Sequence, residues 1–262
     1  MSTFMFKSLS LLGLLVTALA ACNRLGIVTN PSPPPEAPAV AASTGVTSSP
    51  PLSSPIAVVS EILRQPVWVR PAHAQQEVAA QEGMGLQAGE TVRTQGDALA
   101  QIEFATGLAF RLGKNSVITI QPDRRLKLQS GAMITWVQPG KTVPAEIVTD
   151  TAIAGIRGTT VFVNIPTDPK TGTLFFAWEG QVSVRLPNQP GELLLKTGEE
   201  VRVWRGERDL ERVRRRVRRL KSNEWQQRLR QRDNLLRGFR KALPTLKTIE
   251  IIKPGQITPG IR

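Results

Sequence analysis

Histidine, cysteine and tyrosine are nearly absent from this chain of 262 residues. It contains one histidine, His73, one cysteine, Cys22, and no tyrosine. A Ser-His-Asp triad and a Cys/His dyad both need a histidine base, and a zinc site draws several ligands from cysteine and histidine. The count leaves little material for such sites, and a single cysteine allows no disulfide within the chain. The sequence therefore predicts a protein that is not an enzyme and that has no catalytic residues, metal site or cofactor.

Acidic residues are fewer than basic ones, and most of the basic excess lies in one part of the chain. The formal net charge is +13. Residues 205–241 hold 15 lysines and arginines against five acidic residues, which accounts for +10 of that charge. The basic character therefore belongs to one segment and does not describe the rest of the fold.

The N-terminus lacks a hydrophobic run long enough to span a bilayer. One cation, Lys7, precedes an uncharged apolar run from Leu9 to Ala21, which is shorter than the roughly 20 residues that a membrane helix needs. Small residues end the run, as in secretory signals. The last four, Leu-Ala-Ala-Cys, resemble the bacterial lipobox, in which the cysteine is lipidated. We predict a lipoprotein signal peptide over residues 1–22 with lipidation at Cys22; the alternative is an inert cysteine in an ordinary signal or membrane anchor.

Residues 23–55 are predicted to form a tether. The stretch 29–55 contains eight prolines and nine serines or threonines but one charged residue, Glu36. Such a composition buries too little apolar surface to offset the entropy lost on ordering. A proline-rich chain extends by about 3.1 Å per residue, so this stretch spans up to ~80 Å.

Residues 56–205 are predicted to form a mainly β domain, sandwich-like or solenoid-like. Short alternating runs, most of them separated by glycines or turn pairs, recur about every ten residues. The runs are PVWV (66–69), ALAQIEF (98–104), LAFRL (108–112), SVITI (116–120), RLKL (125–128), AMITWV (132–137), EIV (146–148), TVFVNI (160–165), TLFFAW (173–178), QVSVRL (181–186), ELLLK (192–196) and EVRVW (200–204).

Alternation within these runs predicts which side chains share a face. The side chains expected in the core are Ala100, Ile102, Phe104, Leu108, Phe110, Leu112, Val161, Val163 and Ile165. Those expected to face water are Gln101, Glu103, Arg111 and Asn164. No run is apolar on both faces for long, which argues against a parallel sheet covered by helices.

Five motifs follow one another along this domain. They are LQAGETVRTQGDALAQIEFATGLAFRLGKNSVITI (86–120), LKLQSGAMI (126–134), IVTDTAIAGIRGTTVFVNI (147–165), WEGQVSV (178–184) and LKTGEEVRV (195–203). In this order they resemble the FecR domain family, and the resemblance covers residues 56–205. It implies a stack of short strands of β-solenoid type.

The best-known members of that family relay signals across the inner membrane, with a cytoplasmic segment that engages a sigma factor and one spanning helix. This sequence shows a lipobox where those segments would lie, so we do not carry the anti-sigma role over. The resemblance then implies a binding or scaffold module outside the cytoplasm.

The step Ala-Gly-Ile-Arg-Gly-Thr is the most distinctive of these motifs. Gly155 and Gly158 are expected to permit a sharp corner or a close backbone approach between two strands. The guanidinium of Arg157, beside Thr159, has five donors in a fixed fork. Two roles remain open for it. As a structural staple it would hold the corner by hydrogen bonds, with Asp150 or Glu179 as possible acceptors; as a clamp it would bind an anionic ligand.

Residues 206–244 are predicted to form a basic amphipathic helix, divided at Ser222-Asn223 or continuous. Its apolar stripes are Leu210, Val213, Val217 and Leu220, then Trp225, Leu229, Leu236, Phe239 and Leu243. Its predicted basic surface consists of Arg212, Arg214, Arg215, Arg216, Arg218 and Arg219. The tail, 245–262, is expected either to add an edge strand from Ile249 to Ile252 or to fray.

Three interpretations of the basic segment remain open. The apolar stripes pack on the β domain and the arginines are solvated, or the arginines dock onto anionic lipid, acidic polysaccharide or an envelope protein. The third is nucleic-acid binding, against which export argues.

Taken together, these features predict an exported protein, held by a lipid anchor in the periplasm or on the outer face of a bacterial membrane. Its expected function is non-catalytic: a binding or scaffold module of the envelope. The alternative is a sensor or relay in FecR-type signalling of iron or envelope stress that lacks the usual anti-sigma segment.

Overall fold

Strands dominate the computed structural model, which describes residues 54–123, 125–156, 158–231 and 235–252. The strands are β1 (Ala57–Leu63), β2 (Val67–Arg70), β3 (Val78–Ala79), β4 (Gly85–Leu86), β5 (Thr91–Thr94), β6 (Leu99–Phe104), β7 (Leu108–Leu112), β8 (Val117–Ile120), β9 (Arg125–Val137), β10 (Ala145–Val148), β11 (Ile153–Ile156), β12 (Thr160–Ile165), β13 (Thr173–Glu179), β14 (Gln181–Arg185), β15 (Leu193–Lys196), β16 (Glu199–Val203) and β17 (Arg218–Arg219). The helices are α1 (Leu210–Arg214), α2 (Ser222–Arg230) and α3 (Leu246–Ile251), with a 3-10 turn at Pro169–Thr171. The predicted mainly β fold is confirmed.

Backbone pairing arranges the strands in two sheets that share β9. Sheet A has the order β4-β1-β6-β7-β9-β12-β13-β16-β17. Sheet B has the order β3-β2-β5-β8-β9-β10-β11-β14-β15. Among these pairings only β9 with β10 is parallel. Antiparallel partners that follow each other in the chain include β2–β3, β6–β7, β8–β9, β10–β11, β12–β13 and β14–β15.

The strand β9 passes from one sheet to the other at Gly131. The sequence predicted two runs here, and the structure corrects this to one strand of 13 residues. Gly131 has a φ of +77°, and a Cβ on it would lie 2.6 Å from the Cα of Ser116 and 2.8 Å from the carbonyl oxygen of Asn115. Only glycine permits this bend, because both the backbone angle and the contact with backbone atoms exclude a side chain.

A first core lies between the two sheets. Sheet A contributes the alternating side chains predicted for β6, β7 and β12, of which Ile165 is partly buried and the others are buried. Sheet B contributes the inward side chains of β2, β5, β8, β10, β11, β14 and β15. The predicted core face is confirmed, and the arrangement is that of a sandwich.

A second core covers the outer face of sheet A. Apolar side chains of β6, β7, β9 and β13 pack there against the C-terminal part of the chain. The C-terminal contribution is Leu220, Trp225, Leu229, Leu235, Leu236, Phe239, Leu243 and Ile249.

The expectation that the second face of these strands meets water is therefore wrong. Gln101 and Arg111 are only 1% and 0% exposed, and Glu103 and Asn164 are partly buried. The sequence around β7 shows alternation, but it does not show which distant segment covers the polar side.

The predicted basic helix is present only in pieces. Residues 206–231 form α1 and α2, and between them β17 pairs with β16, so that Arg218 and Arg219 lie opposite Glu200 and Glu199. The tail does not add an edge strand: Leu246–Ile251 form α3, and Ile249 is buried in the second core. Over the described ranges, none of these helices has the length and apolar character needed to cross a bilayer.

Candidate functional site

A groove of about 960 Å³ opens on the outer face of sheet A, beside the C-terminal segment. Its apolar floor consists of Leu99, Ile134, Phe162, Leu174, Phe176 and Trp178. One wall is formed by Arg228, Gln231, Leu235 and Leu236. The remaining lining includes residues 113–115 after β7, residues 129–131 at the bend of β9, and residues 164–167 at the end of β12. The size lies in the range of about 300–1,000 Å³ typical of ligand sites.

The register of three neighbouring strands builds this floor. Phe162 on β12 lies opposite Ile134 on β9 and also opposite Phe176 on β13. Because directly opposed side chains in a sheet stand about 5 Å apart on the same face, the three form a row across the strands. Phe162 remains partly exposed at the centre of the row. The floor is therefore rigid, since it is part of the sheet.

Aromatic packing fixes the wall next to α2. Trp225 of α2 is fully buried, with its ring 5.0 Å from that of Trp178 and 6.0 Å from that of Phe176. The guanidinium of Arg228 lies 4.6 Å from the centre of the Phe176 ring. These edge contacts and the cation–π contact attach α2 to the sheet, so that α2 forms a fixed boundary of the groove.

The charged groups at the rim are matched within the molecule. Lys114 pairs with Asp97, Arg205 with Asp150, and Arg228 with Glu200, each at an N–O distance of 2.5 Å. The groove therefore has an apolar floor and little uncompensated charge, which suits an apolar ligand better than a strongly ionic one.

Arg111 lies beside the groove and joins the sheet to the C-terminal segment. Its Nε donates to Oε1 of Gln101 at 2.7 Å, and its Nη1 donates to the carbonyl oxygens of Leu235 and Leu236 at 2.8 and 2.9 Å. Its Nη2 donates to the carbonyl oxygen of Lys241. The guanidinium thus satisfies three carbonyl groups of a segment that forms neither helix nor strand.

The surroundings of this guanidinium explain how it is tolerated. It is stacked 5.2 Å from the ring centre of Trp136 and 4.3 Å from that of Phe239. Burial lowers the pKa of Arg111 to about 10, against the opposing influence of Glu61 and Glu103. The group therefore remains a cation at neutral pH.

Glu61 complements Arg111 on the same face. Its side chain is 5% exposed, and it accepts the backbone N–H of Arg240 at 2.7 Å and that of Lys241 at 3.5 Å. Arg111 thus binds three carbonyl groups of the segment 235–241, and Glu61 binds two of its N–H groups.

The predicted motif residues lie elsewhere. Gly155 is in β11 of sheet B opposite Ser183, and a Cβ on it would lie 2.5 Å from Ser183 Oγ. Gly158 has a φ of +65°, with open space where a Cβ would stand. Thr159 is 3% exposed, and its hydroxyl has no hydrogen-bond partner in the described part of the chain. None of the three lines the groove.

Arg157 and Cys22 lie outside the described residues. Of the acceptors considered for Arg157, Asp150 is paired with Arg205. Glu179 has a buried oxygen, Oε2, without a hydrogen-bond partner over the described ranges. Burial raises the pKa of Glu179. The role of Arg157, staple or clamp, stays a prediction.

The predicted basic surface is partly neutralised. Arg214 pairs with Glu211, Arg216 with Glu207, Arg218 with Glu200 and Glu224, and Arg219 with Glu199. Arg212 and Arg215 are exposed and form no ion pair with another described residue. The prediction that the apolar side chains of this segment pack on the β domain is confirmed: Leu210, Val213 and Val217 join the first core, and the remaining ones join the second. Docking to anionic lipid, polysaccharide or an envelope protein stays a prediction.

The groove itself was not predicted from the sequence. Its floor comes from β6, β9, β12 and β13, and its wall comes from the C-terminal segment. The available signal was that β9 and β13 carry large apolar side chains on both faces. Met133 and Phe175 lie in the first core, and Ile134, Trp136, Phe176 and Trp178 lie in the second. Among the described residues, no group of three His, Cys, Asp or Glu side chains is placed to hold a metal ion.

Comparison with known proteins supports the motif analysis. Residues 90–183 match the family described as FecR protein, so the resemblance is confirmed for this stretch. Two crystal structures of a candidate anti-sigma factor from Parabacteroides distasonis are similar to 53% of this chain, at 12% and 14% identity and TM-scores of 0.40 and 0.39. This chain covers 64% of the length of each of them. A search of curated proteins finds no match.

Arg111→Met is expected to lower the free energy of unfolding by about 3–5 kcal/mol. The variant leaves three carbonyl groups without their buried donor, and an unsatisfied buried carbonyl group costs about 1–3 kcal/mol. Urea denaturation measures the change. Arg214→Met, which removes an exposed ion pair, is the matched control and should cost less than about 1 kcal/mol. A loss at Arg111 no larger than at Arg214 would contradict the assigned role.

Glu179→Gln is expected to raise stability at neutral pH. Because burial raises the pKa of Glu179 above its ordinary value of 4.5, the native state holds the proton to higher pH than the unfolded state. Stability conferred by the protonated group is therefore lost as pH rises through the folded-state pKa. Urea midpoints measured from pH 4 to pH 8 should fall less steeply in the variant than in the wild type. Glu192→Gln, an exposed change of the same charge, is the control.

Proposed function

We propose that this protein, whose residues 90–183 match the FecR family, is a non-catalytic lipoprotein of a bacterial envelope. In this proposal the domain is a binding or scaffold module, and the groove on sheet A is its binding site. The observation that carries the proposal is the groove, with its aromatic floor and its internally paired rim.

The chemistry of the groove supports binding rather than reaction. The six floor residues have no acid, base or nucleophile among their side chains, and the rim cations are held in ion pairs. A rigid apolar floor with a few polar groups at the edge is the usual form of a site that recognises shape. The scarcity of histidine and cysteine points the same way.

The N-terminal sequence supports the location. A cationic start, a short apolar run and Leu-Ala-Ala-Cys are together the pattern of a lipoprotein signal. Two or more acyl chains hold a protein stably at a membrane, whereas one holds it marginally. The proline-rich stretch that follows gives the domain reach from its anchor.

A sensor or relay in FecR-type signalling of iron or envelope stress is the second candidate function. The observation that favours it is the family match over residues 90–183. The two candidates differ in the partner: a relay requires a transporter or a protein linked to a sigma factor, whereas a scaffold does not.

Cys22→Ala is expected to release the protein from the membrane fraction, because the variant has no thiol to lipidate. Fractionation of cells followed by a high-salt wash measures the distribution. Because Cys22 is the only cysteine in the sequence, no second cysteine can serve as a control. The control is a conservative substitution at a nearby residue, Thr29→Ser. Retention of Cys22→Ala in the washed membranes would contradict lipid anchoring.

A photo-crosslinking residue placed at Asn164 in the groove is expected to capture an envelope protein in intact cells. Asn164 lines the groove and is partly exposed. The control carries the photo-crosslinking residue in place of Lys196, which is exposed on sheet B and does not line the groove. Mass spectrometry identifies the partner.

Capture of a transporter or sigma-linked protein specifically from position 164 would favour the relay over the scaffold. Capture of another envelope protein there would favour the scaffold. Equal products from both positions, or none from position 164, would count against the groove as the binding site.

A further inference from the structure

The C-terminal segment shows what kind of molecule the outer face of sheet A binds. Residues 235–243 lie across that face without forming a helix or a strand. The face holds them largely through backbone groups: Arg111 donates to the carbonyl oxygens of Leu235, Leu236 and Lys241, and Glu61 accepts the N–H groups of residues 240 and 241. Contacts of this kind recognise a peptide backbone whatever its side chains.

Apolar side chains of the same segment complete the contact. Leu235, Leu236 and Leu243 are buried, and the ring of Phe239 covers the guanidinium of Arg111. The covered part of this face is therefore a surface that holds an irregular peptide by its backbone and by spaced apolar side chains.

The groove is the continuation of this surface. Leu235 and Leu236 belong both to the segment that is already held and to the wall of the groove. Ile134, Phe162 and Phe176 form the adjoining floor, on which Phe162 remains partly exposed. The groove thus borders the surface on which sheet A already holds residues 235–243 of its own chain.

The charges around the groove indicate which peptide fits. Since Lys114, Arg205 and Arg228 each have an acidic partner within the molecule, the rim offers little attraction for an acidic ligand. The floor offers apolar contact. A segment with two or more spaced apolar side chains therefore suits the groove better than a highly charged one.

We propose that the groove binds an apolar peptide segment of a partner protein, laid beside residues 235–236 on the outer face of sheet A. This inference rests on the proposed function, because it names the class of ligand for the same site.

The test is selection of 12-residue peptides from a phage-displayed library against the full chain in lipid nanodiscs, after depletion on empty nanodiscs. The enriched peptides are expected to carry at least two apolar side chains. Their affinity, measured by fluorescence anisotropy, should fall at least tenfold in Asn164→Trp, which fills the groove, and in Phe162→Ala, which removes the centre of its floor. Lys196→Trp, on sheet B, should leave affinity unchanged. Thermal unfolding of each variant checks that the fold is retained.

The absence of any enriched peptide would overturn the inference, as would affinity that neither groove variant changes. A fluorescent fatty acid, cis-parinaric acid, is the second probe. Binding of this probe that Asn164→Trp abolishes, with no enriched peptide, would show that the groove holds an acyl chain, which also overturns the inference. Peptides that bind the groove while no envelope protein crosslinks at position 164 would support the inference and count against the proposed function.

Discussion

The burial of one guanidinium, that of Arg111, is the constraint on which the outer half of this structure depends. A strand residue that points away from the sandwich core ordinarily meets water, and transfer of a cation out of water costs several kcal/mol. Here the cost is offset because the guanidinium donates to Gln101 and to three backbone carbonyl groups while two aromatic rings cover its faces. The arrangement works only when residues 235–241 are in place, so the cation and the segment require each other.

This constraint makes the two sheets unequal. Sheet A is covered on both faces, by sheet B on one side and by the C-terminal segment on the other, whereas the outer face of sheet B retains polar groups such as the Arg93–Glu77 pair. The cover over sheet A stops short of the ends of β7 and β12 and of the bend of β9 at Gly131, and the groove is the part that remains open. Its existence is thus a consequence of how far the C-terminal segment extends across the aromatic face.

Particular residues show how much of this was predictable from sequence. Period-2 alternation located most of the longer strands and the first core, because Ile102 and Phe110 alternate with polar neighbours. Alternation assigns residues to a face but cannot say what covers it, so Gln101 and Arg111 were wrongly placed in water. The three carbonyl groups that Arg111 binds belong to Leu235, Leu236 and Lys241, which are distant in sequence. The basic helix, predicted as continuous or divided at Ser222-Asn223, is only partly formed for a related reason: α2 begins at Ser222, but a short strand lies between α1 and α2. Glu199 and Glu200 pair with Arg219 and Arg218, and this tertiary contact replaces helix with a short strand.

The stretch that matches the FecR family contains the floor of the groove but not the wall formed by the C-terminal segment. Residues 90–183 include Arg111 and the floor residues Ile134, Phe162 and Phe176, so the FecR-like region supplies the surface. The wall formed by Arg228, Leu235 and Leu236 lies outside that region. A surface that binds backbone groups accepts many sequences, and the segment laid on it decides which part stays open. In the function proposed above, the choice of ligand would depend on the boundary between the FecR-like sheet and the C-terminal cover, because that cover determines how much of the apolar floor stays open.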